Sequence, residues 1–198
     1  MKNSKIQFIC KVGMMGALAA VVMLFEFSVP FVPSFYEMDF SEVIVLLCGF
    51  ALGPAAGVAC EALKILLNLL LNGTSTMGVG EFANFVMGTA LTLPATIYYA
   101  KHHTKKGAIK GMVIGSLVNV AVCAFMNYFV MLPVYAYFFG LPIDTLVAMG
   151  TAVNPYINSL LGLILLAVVP FNIIKDILTA LIVTFSYKKV SPILKKQY

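Results

Sequence analysis

Apolar stretches of about twenty residues recur along this chain, and they constrain its fold more than any other feature. Folded as an α-helix, each stretch is long enough to cross a hydrocarbon layer about 30 Å thick. Of the 198 residues, 61% are hydrophobic and 11% are charged, whereas soluble domains carry about 25% charged residues. The sequence therefore predicts an all-α integral membrane protein. It predicts a single membrane domain over residues 1–198, with no room for a separate catalytic domain.

Turn-forming residues divide the apolar sequence into six predicted transmembrane helices. Their approximate bounds are residues 7–29, 43–53, 56–71, 81–99, 108–131 and 157–187. The second and third are short for a full crossing, and Gly53-Pro54 predicts a bent or tightly joined pair. Pro170 predicts a break in the last helix. The longer connections are rich in Phe, Tyr and Pro, a composition that disfavours disorder, so ordered extracellular loops are expected.

The distribution of lysines predicts the orientation of these helices. All 13 basic residues are lysines, and eleven of them lie in three clusters beside apolar stretches. The clusters are Lys2, Lys5 and Lys11; Lys101, Lys105, Lys106 and Lys110; and Lys188, Lys189, Lys195 and Lys196. Basic residues accumulate on the cytoplasmic side of membrane proteins, so both chain termini are predicted to be cytoplasmic. This distribution accounts for the net charge of +5, which therefore does not indicate a nucleic-acid partner.

Several polar side chains lie within the predicted helices, where a charge costs about 3 kcal/mol or more and often serves a function. Asn172 shares a helix face with both Lys175 and Asp176, because the spacings are three and four residues. Glu81 begins the fourth helix and Asn127 lies near the outer end of the fifth. Three helices thus place polar groups at similar depth, which favours a pocket with a polar end and apolar walls. Polar contacts between helices are the alternative interpretation.

Other charged residues in the helices have simpler interpretations. Glu61 and Lys64 are three residues apart on one helix face, which predicts that they neutralise each other. Glu26 lies near the outer end of the first predicted helix and is expected to reach the membrane interface.

The sequence contains no motif that predicts catalysis. HExxH, CxxC, GxSxG and P-loop patterns are absent from it, so neither an enzyme nor a metal or bound cofactor is predicted. Energy for transport would have to come from another protein or an ion gradient. An intramembrane enzyme using Lys175, Asp176 and Glu81 stays open as an alternative, although no nucleophile accompanies them. So does a solitary ion-coupled carrier, although no internal repeat is visible.

Five segments resemble the substrate-binding S components of energy-coupling factor (ECF) transporters, and within that family the riboflavin-specific members. In chain order they read "YEMDFSEV", "GFALGPAAGVACEALKILLNLL", "GVGEFANFVMGT", "MNYFVMLPVY" and "PFNIIKDIL". The resemblance covers nearly the whole chain. It implies a six-helix bundle that binds riboflavin and has no enzymatic activity of its own. An S component for another vitamin, thiamine or a pterin, is the nearest alternative.

The resemblance also implies roles for individual residues. It places riboflavin in a pocket under the outer loops, with polar contacts from Glu81, Asn127, Asn172 and Lys175. The carbonyls and N–H of the flavin match these donors and acceptors. On this basis Lys175 donates to the flavin, while Asp176 or Glu81 balances its charge. Possible wall or lid residues are Tyr36, Met38, Phe40 and Phe85.

A partner complex is implied as well. S components of this family dock on a transmembrane coupling protein, the T component, which works with two ATP-hydrolysing ABC subunits. The first helix contains small residues at four-residue spacing, which lets helices approach closely. Family members usually carry alanine at both positions of such a pair, whereas here glycine stands first in each. The predicted docking residues are Gly13, Gly16, Ala17 and Ala20.

Overall fold

The computed structural model describes residues 2–33, 36–74 and 76–195, which are mainly helical. Two short strands form an antiparallel hairpin, with Phe27 opposite Met38 and Ser28 opposite Glu37. Two π-helical segments, π1 and π2, interrupt the α-helices. The elements are α1 Lys2–Met23, β1 Phe27–Ser28, β2 Glu37–Met38, α2 Ser41–Leu52, α3 Pro54–Asn72, α4 Val79–Lys101, α5 Lys105–Met126, π1 Asn127–Met131, α6 Leu132–Phe139, α7 Ile143–Val153, α8 Leu160–Leu163, π2 Ile164–Val168 and α9 Val169–Lys195.

The described residues contain four helical stretches that are long and apolar enough to cross a membrane. They are Lys5–Met23, Pro54–Asn72, Lys105–Phe139 and Leu160–Tyr187. The 12 residues of α2 span only about 18 Å at 1.5 Å per residue, so the second predicted helix is short as expected. The prediction that the third helix is also short is wrong, because α3 continues to Asn72 and has 19 residues. The all-helical membrane class predicted from the sequence is confirmed.

Two long helices continue through a π-helical segment that ends two residues before a proline. π1 is followed by Pro133, and π2 by Pro170. Proline lacks an N–H group and its ring clashes with the carbonyl four residues earlier, so a wider turn before it relieves both conflicts. The backbone thus stays helical through Pro170, where the sequence predicted a break, and the irregularity lies in π2 instead.

The connections at one end of the bundle contain more regular structure than the sequence indicated. Helix α1 ends at Met23, six residues before the end of the predicted span, because the chain turns into the β1–β2 hairpin. The predicted loop after the fifth span is largely helical and forms α6 and α7. Gly140 separates these two helices with a left-handed backbone (φ 62°), a conformation in which glycine is favoured at helix ends.

The buried apolar side chains form two main clusters. One joins α1, α2, α3, α4, α5 and α9 around residues such as Leu46 and Ala95. The other joins the hairpin, α6, α7 and π2 around residues such as Leu132 and Val168. Phe40 packs against both clusters. The residues on either side of Phe40 in the sequence are polar and buried, and they belong to the functional site.

Candidate ligand-binding site

A cavity of about 230 Å³ lies between the hairpin and the helices that surround it. Its wall combines apolar and polar side chains, the composition typical of a site that orients a small molecule. The apolar part of the wall consists of Met23, Met87, Leu91, Met131 and Phe171. The polar part includes Glu42, Lys64, Asn119, Asn127, Asn172, Lys175 and Asp176.

The structure brings most, but not all, of the predicted polar ligand contacts to this cavity. Asn127, Asn172 and Lys175 line it, although they lie up to 48 positions apart in the sequence. Glu81 is not part of the wall. Its carboxylate accepts a hydrogen bond from the Thr74 hydroxyl at 3.0 Å, beside the start of α4.

Of the four predicted wall or lid residues, Tyr36 lines the cavity. Met38 is buried in the second apolar cluster, and Phe40 packs between both clusters. Both therefore contribute to packing around the hairpin and do not line the cavity. Phe85 is half-buried on α4 and does not contribute to the wall.

Two π-helical segments position the asparagine side chains. Asn127 begins π1 and donates to the carbonyl of Cys123 at 2.9 Å. Asn172 follows π2 and donates to the carbonyl of Val168 at 2.8 Å. Each amide thus fixes its orientation on the carbonyl four residues earlier. Tyr36 completes the arrangement on the hairpin side by donating to Asn127 Oδ1 at 3.0 Å.

Lys175 is paired with Asp39, the residue that follows β2. Its Nζ atom lies 2.8 Å from Asp39 Oδ2, and the backbone N–H of Ser41 donates to Asp39 Oδ1 at 2.8 Å. Burial alone would raise the pKa of Asp39. The positive charges of Lys175 and Lys64, with the hydrogen bonds from Lys175 and Ser41, outweigh burial and hold the pKa below its usual range. Asp39 is therefore an ionised counterion for Lys175.

The prediction that Asp176 or Glu81 balances the charge of Lys175 is wrong. Asp176 instead accepts hydrogen bonds from α5, from the Ser116 hydroxyl at 2.8 Å and from Asn119 Nδ2 at 3.1 Å. Asp39 is 136 positions from Lys175 in the chain, and no helical spacing connects them. In the sequence, the only indication of a role for Asp39 was its position in the segment "YEMDFSEV", which carries part of the family resemblance.

A second ion-pair cluster, buried at the inner wall of the cavity, contains two carboxylates and one ammonium group. Lys64 Nζ lies 2.9 Å from Glu61 Oε2 and 2.6 Å from Glu42 Oε1. The predicted neutralisation of Glu61 by Lys64 is confirmed, and Glu42 of α2 is an additional partner that spacing did not reveal. Lys64 is 2% and Glu61 0% exposed, so the three charges depend on each other in a low-dielectric environment.

The backbone of α4 passes these carboxylates at Gly88, where a side chain would not fit. A Cβ atom built there would lie 2.2 Å from Glu61 Oε1 and 2.8 Å from Glu42 Oε1. Because Gly88 has no side chain, α2, α3 and α4 can converge on one charged cluster.

Substituting Gly88→Ala is therefore expected to lower the free energy of unfolding by about 1–3 kcal/mol, the usual cost of overpacking. Thermal unfolding of the detergent-solubilised protein measures it. Gly13→Ala is the matched control, since nothing lies within 4 Å of a Cβ at Gly13. Equal unfolding temperatures for the two variants would show that the packing at Gly88 is not close.

Three exposed polar residues that the sequence did not connect with a pocket also line the cavity. They are Glu26, Glu37 and Asn84. Although the Glu26 side chain reaches solvent, partial desolvation raises its pKa, and the carboxylates of Glu37 and Asp39 raise it further. The open side of the cavity is therefore acidic and rich in hydrogen-bond acceptors.

The four predicted docking residues of α1 divide between two environments. A Cβ at Gly16 would lie 2.7 Å from the Leu63 side chain of α3, and Ala20 is 1% exposed. This pair serves packing within the bundle. Ala17 is exposed, and a Cβ at Gly13 would meet nothing within 4 Å. This second pair therefore lies on the outside of the helical bundle.

Comparison with known proteins identifies the family. The sequence model of "ECF transporter, substrate-specific component" matches residues 7–187. The chain belongs to this family. A solved structure titled "Structure and mechanism of the S component of a bacterial ECF transporter" superposes on this S component with a TM-score of 0.74. It is 31% identical, with 98% of this chain and 99% of that chain covered.

Two curated relatives of this S component are named as riboflavin transporters. It is 34% identical to riboflavin transporter RibU of Staphylococcus aureus (strain TCH60), over 93% of this chain and 90% of the relative. It is 29% identical to riboflavin transporter FmnP of Bacillus subtilis (strain 168), over 98% and 96%. Because the family consists of transport components, this S component is a membrane transport subunit of the bacterial cell and not an enzyme.

Proposed function

We propose that this S component captures riboflavin in the cavity between the hairpin and the bundle and delivers it through an ECF complex. The observation that carries the proposal is the convergence of Asn127, Asn172 and Lys175 on one cavity. Relatives named as riboflavin transporters match nearly the whole chain. Riboflavin is then the transported ligand and not a cofactor.

The chemistry of the wall suits a flavin. Asn127 and Asn172 each have an amide with donor and acceptor atoms, and Lys175 supplies a charged donor for a flavin carbonyl. Met131 and Phe171 provide an apolar surface for the ring system. The ribityl hydroxyls match the acceptors at the open side of the cavity. Of the predicted ligand contacts, Glu81 would reach the ligand only if the start of α4 moved.

Binding also requires rearrangement of the hairpin side. The cavity of about 230 Å³ is below the roughly 300 Å³ at which small-molecule pockets begin. Tyr36 already hydrogen-bonds to Asn127, and Lys175 already hydrogen-bonds to Asp39, so these polar atoms are not free for a ligand. Riboflavin therefore replaces or shares these contacts as the hairpin moves outward.

We further propose the membrane arrangement. The single domain of residues 1–198 crosses the membrane six times, with the short helix α2 joined directly to the longer α3 and both termini in the cytoplasm. The basic residues at the junction of α4 and α5, from Lys101 to Lys110, support this orientation. The T component and two ABC ATPases complete the transporter, and Gly13 and Ala17 on the exposed face of α1 are the docking residues.

The deciding test is an absorption and fluorescence spectrum of the protein purified in detergent without added ligand. Flavin bands near-stoichiometric with protein, together with quenched flavin fluorescence, are expected. A colourless preparation that also leaves the fluorescence of added riboflavin unchanged would refute the flavin assignment. Titration with thiamine and a pterin would then distinguish the remaining vitamins.

A further inference from the structure

A second cavity, of about 480 Å³, lies along the seam between α5 and α9. Large apolar side chains form its two rims. On α5 these are Val113 and Leu117, exposed by 56% and 69%, and on α9 Ile173 and Ile177, exposed by 40% and 54%. Small residues between the rims leave the space open: Ala121, Ala124 and Ala180. In a membrane-spanning bundle this α5–α9 groove is a surface suited to an apolar chain.

The dimensions of the α5–α9 groove match one leaflet of a bilayer. It extends along α5 from Met112 to Ala124, about 18 Å at 1.5 Å per residue. One leaflet of a hydrocarbon core about 30 Å thick is about 15 Å deep. A lipid acyl chain lying in the groove would therefore contact the protein over most of its length.

The polar residues of the groove are occupied by contacts within the protein. Asp176 is 4% exposed, and its Oδ2 accepts from Ser116 at 2.8 Å and from Asn119 at 3.2 Å. Donors from α5 thus already satisfy the carboxylate by hydrogen bonds. The space that remains is almost completely apolar, so a ligand with a charged group would place that group at an end of the groove.

One end of the groove carries positive charge on the same helix face. Lys106, Lys110, Val113 and Leu117 follow one another at spacings of four, three and four residues, which puts them in one row along α5. Both lysines are exposed in the first turns of this long membrane helix. Lysines at a membrane boundary attract anionic lipid headgroups.

From this row we propose that the α5–α9 groove is a binding site for an anionic phospholipid. The acyl chain lies between Leu117 and Ile177, and the headgroup phosphate is held by Lys106 and Lys110. The occupant is a lipid of the leaflet next to the lysine-rich end of α5. This site is separate from the riboflavin cavity on the other side of Asp176, and the proposal does not depend on the identity of the transported vitamin.

The absence of tryptophan from the chain allows a clean test. A Leu117→Trp variant is reconstituted in phosphatidylcholine vesicles in which a fixed fraction of lipid is brominated phosphatidylglycerol or brominated phosphatidylcholine. Bromine atoms on a lipid chain quench the fluorescence of a tryptophan that they contact. The control reporter is Leu70→Trp on α3, at a residue that is 72% exposed. Roughly fivefold stronger apparent binding of the anionic lipid is expected at position 117, about the effect of one lysine at a charged surface. No preference is expected at position 70.

Two further variants connect the preference with the lysines. Combining Lys106→Gln and Lys110→Gln is expected to abolish it, whereas Lys5→Gln at the exposed start of α1 is expected to leave it unchanged. Ile177→Trp on the opposite rim serves as a second reporter if Leu117→Trp destabilises the protein. The proposal is overturned by equal quenching from both lipids, by the same preference at Leu70→Trp, by a preference that survives loss of both lysines, or by no quenching from either lipid.

Discussion

Riboflavin affinity is expected to fall roughly 30- to 150-fold when Lys175 is replaced by methionine, which corresponds to about 2–3 kcal/mol for a hydrogen bond from a charged group. Methionine keeps most of the apolar stem and removes the ammonium group. In the proposed complex that group donates to a flavin carbonyl within the cavity. Quenching of riboflavin fluorescence by the purified variant measures the dissociation constant.

The Lys175–Asp39 pair complicates this experiment, and the same pair supplies the control. Removing only Lys175 leaves Asp39 ionised and buried at 8% exposure, which is costly for the fold. In the double variant, Lys175→Met with Asp39→Asn, neither charge is left unpaired. Thermal stability is expected to recover in the double variant.

Riboflavin affinity and thermal stability are expected to respond differently in this set of single and double variants. If Lys175 contacts the flavin, the double variant binds as weakly as Lys175→Met although its fold is restored. A purely structural lysine predicts that affinity recovers together with stability. Recovery of both would therefore overturn the assignment of Lys175 as a ligand contact.

The largest loss of stability is expected from Lys64→Met. This change leaves Glu42 and Glu61 close together without their ammonium partner, and removing one member of a buried ion pair costs about 3–5 kcal/mol. Total stabilities are about 5–15 kcal/mol, so the variant is expected to give little folded protein. Yield after size-exclusion chromatography and the unfolding temperature in detergent measure the effect.

Two matched variants identify the cause. Lys5→Met removes an exposed lysine from α1 and is expected to change the unfolding temperature little. Adding Glu42→Gln and Glu61→Gln to Lys64→Met gives a neutral cluster of similar volume, which should recover much of the loss. If Lys64→Met is as stable as Lys5→Met, the three charges are not interdependent.

Part of the site could be predicted because the signals were local. Asn172 and Lys175 share a face at a spacing of three residues, and the position of Asn127 near a helix end follows from the hydropathy pattern. The pairing of Glu61 with Lys64 likewise follows from helical geometry. Each of these inferences needs only the regular spacing of one helix.

Other features had no local signal. Tyr36 meets Asn127, and Asp39 meets Lys175, because the β1–β2 hairpin folds back over the bundle. The π-helical segments that orient the two asparagines extend their helices through or beyond the predicted boundaries. Hydropathy cannot distinguish a π-turn from an α-turn, since both bury similar side chains.

The sequence by itself thus determined the membrane class, the main helices and three polar residues of the cavity, because hydrophobic length and helical spacing are properties of neighbouring residues. Only the tertiary structure decided which charge neutralises which. Lys175 pairs with Asp39, and Lys64 with Glu42 as well as Glu61, since the hairpin returns over the bundle and Gly88 lets three helices converge. Such choices depend on close approach between segments far apart in the chain, where no periodic pattern connects the partners.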